Sequence, residues 1–282
     1  MKIYLNGSIV DKGKAKVSIF DSGFLHGDGL FETMRAYSGA IFLLDRHLDR
    51  LISAAHVLEF GSMIVKAELE RACMETLNAN GLINARVRLT VTRGEEDESE
   101  STVIVVATPF DGYDKQLYEN GMSAITLSGF RCSGNITSTI KSNSYLSSIM
   151  PRRKAMARGY DEAILVNERG NIAEGSFTNI FCLREGGLYT PPVSDGLLPG
   201  ITRGFVIELA KQAGYEVIQR SIHASDLFKM EEVFLTNSMM EIMPLTKVNG
   251  SNIDDGRPGT ITIKLAQLYK QSVLDWLAES KN

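Results

Sequence analysis

The chain has 282 residues, 44% of them hydrophobic, and a formal net charge of −4 at pH 7. A chain of this length buries enough apolar surface to fold without disulfides, and its three cysteines fit neither a disulfide framework nor a zinc site, so we expect no metal. The 30 basic residues are outnumbered by 34 acidic ones, which argues against nucleic acid as a partner.

The first predicted element is a β-hairpin in KIYLNGSIV, where two β-type runs flank Asn6-Gly7. The opening MKIYLNGSIVDKGKAK brings in charge before a secretory apolar core could form, and nowhere do eighteen apolar residues follow one another. We therefore expect a cytoplasmic protein with no membrane partner.

Further strands and two helices follow in the N-terminal part. LFETMRAY alternates like a strand, and apolar residues recur at helical spacing from Asp45 to Phe60. A second helix is predicted from Lys66 to Asn80, closed by Gly81. ARVRLTVTRG and STVIVVATP are predicted strands, and the turn-rich PFDGYDKQLYENG is the predicted domain boundary.

The C-terminal part is predicted to begin with the strand MSAITLSGF and a helix from about Ser144 to Arg158, kinked or restarted at Pro151. DEAILVN and SFTNIFCLR are predicted strands joined through ERGN. A helix from Gly200 to Gly214, strands in YEVIQRSI and EEVFLTN, and a helix near Ile261 to Leu277 complete the chain.

Lys141 is the only fully charged side chain between Arg131 and Arg152. It has three interpretations. The first is a solvated loop lysine, as most lysines are. The second is the lysine of an S-x-x-K nucleophile motif that begins at Ser138, and the absence of S-D-N and K-T-G from the sequence argues against it. The third is an amine that loses its charge among hydroxyl groups and attacks an aldehyde such as pyridoxal 5'-phosphate.

Seven segments, in order, resemble the class IV aminotransferase family, the fold-type IV pyridoxal-phosphate enzymes. They are FDSGFLHGDGLFETMR, HLDRL, IKSNSYLSS, YDEAILVNERGNIAEGSFTNIF, YTPP, LLPGITR and EEVFLTNSMMEIMPL. The resemblance implies a two-domain mixed α/β fold like that of D-amino-acid aminotransferase. A small α+β domain would span residues 1–115, and a larger cofactor-binding domain with a β-barrel-like core residues 116–282. It also implies pyridoxal phosphate as the cofactor and a homodimer.

The resemblance assigns roles to individual residues. Lys141 matches the lysine that holds the cofactor covalently, and Glu174 matches the carboxylate that keeps the ring nitrogen protonated. The other matched cofactor contacts are Arg50, Gly200, Ile201, Thr202 and Ser238 for the phosphate, Leu198 for the ring and Tyr145 for the ring hydroxyl. A helix start at Gly200 would stabilise a phosphate dianion through its unpaired N–H groups.

The reaction implied first is amino transfer between an amino acid, branched-chain or similar, and a 2-oxo acid such as 2-oxoglutarate. Tyr145 and YLSS favour it, whereas Thr33, a candidate catalytic residue, and LTNSMMEI favour aminodeoxychorismate lyase. D-amino-acid aminotransferase is a further alternative, although the loop EEDESES lacks the arginine and histidine those enzymes carry. A ligand-binding protein without catalysis is the alternative from another class.

Three residues are candidate substrate contacts. Arg86 and Arg88 alternate along a predicted strand, so both side chains leave the same face and could bind a carboxylate. A solvated strand face explains the same pattern. Met239 lies in the SMME stretch next to Ser238.

Overall fold

A computed structural model describes residues 1–60, 64–95 and 101–279, and every structural statement below refers to them. These residues form two compact units. Unit 1 contains Met1–Asp111, Ile140–Ser144 and Glu279, and unit 2 contains Gly112–Thr139 and Tyr145–Ala278. The division of the chain into domains at residue 115 stays a prediction.

Unit 1 is an antiparallel sheet with two long helices. Its strands are β1 (Lys2–Leu5), β2 (Ser8–Asp11), β3 (Gly29–Tyr37), β4 (Ala40–Ile41), β5 (Ala85–Thr92) and β6 (Thr102–Pro109), in the order β2-β1-β6-β5-β3-β4. Its helices are α1 (Ser22–Leu25), α2 (Leu44–Val57) and α3 (Lys66–Ala79). Leucines of α2 and α3 pack with the inward residues of β3 and β5 in one apolar core.

Local sequence explains the first part of this unit. Asn6 and Gly7 have φ angles of 43° and 87°, and Leu5 pairs with Ser8 across the turn, as a two-residue hairpin loop requires. Helix α2 ends at Val57 instead of Phe60, because Glu59 takes a left-handed φ of 56° that no helix continues. Helix α3 begins where predicted and ends one residue early.

Unit 2 contains a larger mixed sheet. Its strands are β7 (Met122–Ser128), β8 (Glu162–Val166), β9 (Ile172–Gly175), β10 (Asn179–Arg184), β11 (Gly187–Thr190), β12 (Val217–Gln219), β13 (Glu232–Asn237), β14 (Glu241–Val248) and β15 (Ser251–Asn252). The order is β12-β11-β10-β13-β14-β7-β8-β9, with β15 on β14. The sheet curls as a half-barrel, in agreement with the predicted barrel-like core.

Four helices complete unit 2: α4 (Lys115–Asn120), α5 (Leu146–Met156), α6 (Ile201–Gln212) and α7 (Thr260–Glu279). Helix α5 runs through Pro151 without a restart, contrary to one of the two predicted outcomes. The predicted boundary segment contains α4, whose first turn is capped by the Asp114 carboxylate. No helix in the described ranges is long and apolar enough to cross a membrane.

Candidate active site

Lys141 lies on a short segment that pairs with β3 of unit 1. The Phe31 N–H donates to the Lys141 carbonyl at 2.9 Å, and the Asn143 N–H donates to the Gly29 carbonyl at 2.8 Å. Leu30 and Ser142 form an antiparallel bridge between these two bonds. The backbone of β3 therefore fixes the position from which the lysine side chain leaves.

The Lys141 side chain lies over the ring of Phe31, with Nζ 4.4 Å from the ring centroid. The Arg88 guanidinium packs on the same ring at 3.8 Å. Lys141 is isolated from other charges in the sequence, but the fold brings a second cation to the aromatic ring that it contacts. Two cationic side chains thus share one aromatic ring of unit 1.

Arg50 is held by a buried carboxylate that the sequence analysis did not identify. Its Nε donates to Glu32 Oε1 at 2.8 Å and its Nη2 to Glu32 Oε2 at 2.6 Å, a bidentate pair. His47, one helical turn before Arg50, contacts Glu32 Oε2 through Nδ1 at 2.7 Å. Glu32 has no exposed surface, so this triad lies in the interior of unit 1.

The triad has a defined charge state. Burial alone would raise the pKa of Glu32, but Arg50 and His47 outweigh it and lower that pKa to about 2. Burial lowers the pKa of His47, and this effect exceeds the opposing attraction of Glu32. Glu32 is therefore an anion at neutral pH and fixes one edge of the Arg50 guanidinium.

Thr33, Arg86 and Arg88 lie on the sheet face opposite the triad. Thr33 pairs with Arg88, and Arg35 pairs with Arg86, so these side chains share one face. Both Arg86 and Arg88 are exposed, while Ala85, Val87 and Leu89, which alternate with them, are buried. The alternation predicted for the two arginines is thus present, and a third guanidinium, that of Arg35, lies beside Arg86.

In unit 2, Glu174 is a buried carboxylate near the end of β9. The Leu198 N–H donates to its Oε2 at 3.1 Å, and Asn179 Nδ2 lies 3.5 Å from the same oxygen. Arg131 Nε donates to Oε1 at 2.8 Å. Gly175 follows because a Cβ there would collide with the Thr178 hydroxyl. The glutamate is therefore held by groups from three different segments.

The N-terminus of α6 lies two residues beyond Leu198. Gly200 is its N-cap residue and offers no side chain to the first N–H groups. A Cβ at Gly200 would overlap the Asn179 amide oxygen, and Asn179 Nδ2 donates to the Leu198 carbonyl at 2.9 Å. Close packing thus requires glycine here, and the helix start can accept an anion.

Other predicted contacts cluster around this helix start. Thr202 Oγ1 and Ser238 Oγ are 3.5 Å apart, so the hydroxyls expected at the phosphate lie together. Ile201 and Leu198 are half-buried, and Met239 is buried in the turn after β13. The Met239 N–H donates to the Asn237 side chain, which shapes that turn.

Tyr145 packs edge-on against Phe177, with ring centroids 5.3 Å apart. Burial, followed by the charge of Glu174, raises the pKa of Tyr145 to about 12. Its hydroxyl is therefore protonated at neutral pH and can donate a hydrogen bond to a ring oxygen.

The residues present fit pyridoxal phosphate. The cofactor requires an amine for its aldehyde, a carboxylate for its ring nitrogen and donors for its phosphate. Within unit 1, the amine of Lys141 and the guanidinium of Arg50 are of the types required. Within unit 2, a buried carboxylate and an uncapped helix start whose N-cap position admits no Cβ are of the types required.

Sequence reasoning missed four residues of these two sets: Glu32, His47, Arg131 and Asn179. A signal existed for Glu32, because it occupies an inward position of β3 between Leu30 and Met34 where an apolar residue would be expected. Arg131 gave none, since it lies 43 residues from Glu174.

Comparisons with known proteins identify the relatives of this chain. Residues 29–248 match the family model of amino-transferase class IV. A protein of Methanocaldococcus jannaschii, provisionally named a branched-chain-amino-acid aminotransferase, is 40% identical over 98% of each chain. The aminodeoxychorismate lyase of Bacillus subtilis is 33% identical over 98% of this chain and 96% of its own. The D-alanine aminotransferase of Bacillus licheniformis is 30% identical over 99% and 100%.

Solved structures share the fold. The branched-chain aminotransferase of Thermoproteus uzoniensis with norvaline superposes with a TM-score of 0.89 at 34% identity, covering 98% of this chain and 95% of its own. The T.th. branched-chain amino acid aminotransferase with pyridoxamine 5'-phosphate gives a TM-score of 0.91 at 31% identity, covering 96% and 93%.

These matches confirm the fold expected from the sequence, that of the fold-type IV enzymes. The fold-type IV enzymes are one structural class of pyridoxal-phosphate-dependent enzymes. The family match covers more than half of the chain, and the chain belongs to the class IV aminotransferase family.

Proposed function

We propose that the protein is a pyridoxal-phosphate-dependent aminotransferase that moves an amino group between a branched-chain amino acid and a 2-oxo acid such as 2-oxoglutarate. One observation carries the cofactor assignment. The buried Glu174 carboxylate is hydrogen-bonded to the Leu198 N–H, two residues before the N-cap of α6. A ring-nitrogen partner and a phosphate-binding helix start are thereby tied together within unit 2. The names of the relatives support the substrate class.

Each proposed cofactor residue has a defined task. Bound pyridoxal phosphate supplies an aldehyde for amino groups and a ring that accepts electrons from the substrate Cα. Lys141 would hold the cofactor through its amine, and its free amine would move a proton at the substrate Cα. Arg50, oriented by Glu32, and the N–H groups of α6 are each proposed as phosphate ligands.

For the remaining cofactor contacts, the proposal follows the side-chain chemistry. The hydroxyl groups of Thr202 and Ser238 would donate hydrogen bonds to the phosphate, and Leu198 would pack on the ring. The Tyr145 hydroxyl would donate a hydrogen bond to the ring hydroxyl, because the raised pKa of Tyr145 keeps this group protonated. Glu174 accepts the hydrogen bond of the protonated ring nitrogen.

Three guanidiniums on one face of unit 1 support a role in carboxylate binding. Arg35 and Arg86 are direct cross-strand partners, and together with Arg88 they concentrate positive charge on this face. We propose Arg86 and Arg88 as contacts for a substrate carboxylate, and Thr33, opposite Arg88, as a side chain that limits the space beside it. Met239 is proposed as an apolar substrate contact.

The decisive experiment is a substrate panel. The purified enzyme is incubated with L- and D-amino acids plus 2-oxoglutarate, and separately with aminodeoxychorismate. We expect glutamate and the keto acid of leucine, isoleucine or valine, and no 4-aminobenzoate. Lys141→Ala is the control: it should abolish turnover and still bind the cofactor non-covalently, so that borohydride no longer fixes it to the protein. Normal turnover by this variant would refute the assignment.

Aminodeoxychorismate lyase is the second candidate, and the observation that favours it is Thr33. This side chain lies on β3 opposite Arg88, on the face that also carries Lys141 and Phe31. A hydroxyl at this position can donate to a leaving group or hold a water molecule. Release of pyruvate and 4-aminobenzoate in the panel, with no keto acid from amino acids, would promote this function. The loop predicted to argue against D-amino-acid specificity falls largely in 96–100, outside the described residues.

We also propose a homodimer in the cytoplasm. In the segment Val17–Leu25 of unit 1 the apolar side chains are exposed, although the backbone of the segment is anchored. The Asp21 carboxylate accepts hydrogen bonds from the Gly23 N–H and the Thr92 hydroxyl, and the Ser22 N–H donates to the Gly94 carbonyl. An anchored, exposed apolar segment is typical of a protein interface. Free thiols at all three cysteines fit a reducing compartment.

A further inference from the structure

We propose that Arg131 is a positioning residue for Glu174: it fixes the orientation of this carboxylate and keeps it ionised, so that the carboxylate can hold a protonated ring nitrogen. The inference rests on the proposed function, because it concerns how the carboxylate meets pyridoxal phosphate. The distance between Arg131 Nε and Glu174 Oε1 is 2.8 Å, and both side chains are 7% exposed.

The guanidinium of Arg131 is anchored by the chain around it. Nη1 donates to the carbonyls of Phe130 at 2.9 Å and Ser147 at 3.2 Å and to the Ser147 hydroxyl at 3.2 Å, and Nη2 donates to the Ser148 hydroxyl at 2.7 Å. Apart from Glu174 these partners are neutral, so Glu174 supplies the charge that compensates the guanidinium. The planar fork can then hold the carboxylate in one orientation.

Pro151 explains why the first turn of α5 can accept this guanidinium. In an α-helix the carbonyl of residue 147 would accept from the N–H of residue 151, and proline has no N–H. The Ser147 carbonyl instead accepts from Arg131 Nη1. The proline therefore makes a helix carbonyl available, and Arg131 links that carbonyl to Glu174.

The energetic consequence falls on Glu174. Burial disfavours the anionic form of a carboxylate, and a cationic partner opposes this effect. An arginine cannot lose its proton in this range, so it is a permanent source of positive charge beside Oε1. The Leu198 N–H and Asn179 hold Oε2. Loss of Arg131 would remove a positive charge that favours the anion and the donor that fixes Oε1, and a carboxylate that is less ionised and less fixed favours a protonated ring nitrogen less.

The test compares two cofactors that differ in the ring nitrogen alone. Apoprotein is titrated with pyridoxal phosphate and with its 1-deaza analogue, in which carbon replaces that nitrogen. Both bond to Lys141 through the same aldehyde, so the ratio of their dissociation constants isolates the contact at the nitrogen. The wild type should prefer pyridoxal phosphate by about tenfold or more, as expected for a hydrogen bond to a charged group.

Arg131→Gln should lose this preference and bind both compounds with similar affinity, and Arg131→Lys should retain part of it. Arg152→Gln is the matched control, because it breaks another arginine–glutamate contact of unit 2, the one with Glu162, and should keep the wild-type ratio. If Arg131 had only a structural role, its replacement would weaken the binding of both compounds equally and leave the ratio of their dissociation constants unchanged. That result would overturn the inference. If Arg131→Gln does not fold, an unchanged ratio in Arg131→Lys overturns it in the same way.

Failure of the inference and failure of the proposed function give different results. A wild-type protein that binds neither compound contradicts the cofactor assignment. A wild type that binds both with equal affinity keeps the cofactor but overturns the role of Glu174 and Arg131 at the nitrogen. A second readout is the ¹⁵N chemical shift of labelled pyridoxal phosphate, which should move to the unprotonated value in Arg131→Gln and not in Arg152→Gln.

Discussion

Glu32 carries a full negative charge in the interior of unit 1, where an isolated carboxylate would be costly. Two partners from one face of α2, His47 and Arg50, offset this cost through hydrogen bonds to the carboxylate. The pairing also has a directional effect. A guanidinium held at Nε and one Nη by a buried carboxylate has lost most of its rotamer freedom before any phosphate arrives, so less entropy is lost on binding.

Replacing Glu32 with glutamine should lower stability in a pH-dependent way. The pKa of Glu32 in the fold is about 2, below its ordinary value of 4.5, so its ionisation stabilises the protein above about pH 5 and this contribution disappears as the pH falls towards 2. The shift corresponds to on the order of 3 kcal/mol. Thermal unfolding should show a lower midpoint for Glu32→Gln at pH 7 and a difference from wild type that shrinks by pH 3. Glu75→Gln, which removes an exposed partner of Arg71, should change little at either pH.

At the scale of single residues, the sequence identified the groups that a family motif names and missed the groups that support them. Lys141 and Glu174 lie within recognisable segments. Arg131 and Asn179 reach Glu174 from other parts of the chain, and their side chains converge only after the sheet of unit 2 has formed. Such contacts depend on tertiary distance, which one sequence without an alignment does not contain.

Helix α6 offers a test at the scale of an element, because it contains two glycines in different surroundings. A Cβ at Gly200 would overlap the Asn179 side chain, whereas a Cβ at Gly204 meets nothing within 4 Å outside its own helix. Gly200→Ala should therefore displace Asn179 from the Leu198 carbonyl and weaken pyridoxal-phosphate binding by about tenfold.

Gly204→Ala is the control for this comparison. It should stabilise the helix by about 0.5–1 kcal/mol, since alanine is the better helix former, and leave cofactor affinity unchanged. Titration of the apoprotein and thermal unfolding measure the two effects. Equal cofactor affinity in Gly200→Ala and the wild type would contradict the role assigned to this helix start.

Elements with strong local signals were predicted well, and those determined by tertiary contacts were not. The hairpin at Asn6-Gly7 and helices α2, α3, α6 and α7 follow from turn residues and apolar periodicity. Strand β9 was not predicted, because its four residues follow the turn ERGN directly and carry no alternation of their own, and the close approach of Gly175 to Thr178 that separates it from β10 is a tertiary contact. The restart predicted at Pro151 did not take one contact into account. The Ser147 carbonyl, which has no N–H donor at Pro151, accepts a hydrogen bond from the Arg131 side chain instead.

At the scale of the whole molecule, the exposed segment Val17–Leu25 predicts how the protein associates. Ile19, Phe20, Phe24 and Leu25 are 66%, 63%, 71% and 53% exposed. The double variant Phe20→Ser/Phe24→Ser should shift a homodimer to monomer in sedimentation equilibrium, because it removes two aromatic anchors from the contact. Ile83→Ser is the control, since Ile83 is also 65% exposed in unit 1 but lies outside this segment. A variant as dimeric as the wild type would exclude the segment as the interface.

The five residues Ile140–Ser144 pack with unit 1 although the chain on both sides of them belongs to unit 2. No single cut can then separate the two units with their contacts intact. A fragment starting at residue 112 would keep Lys141 but lack β3, and the Lys141 carbonyl and the Asn143 N–H would have lost their backbone partners. Truncation should therefore leave the Lys141 amine on an unanchored loop, and work with isolated halves would require both pieces together.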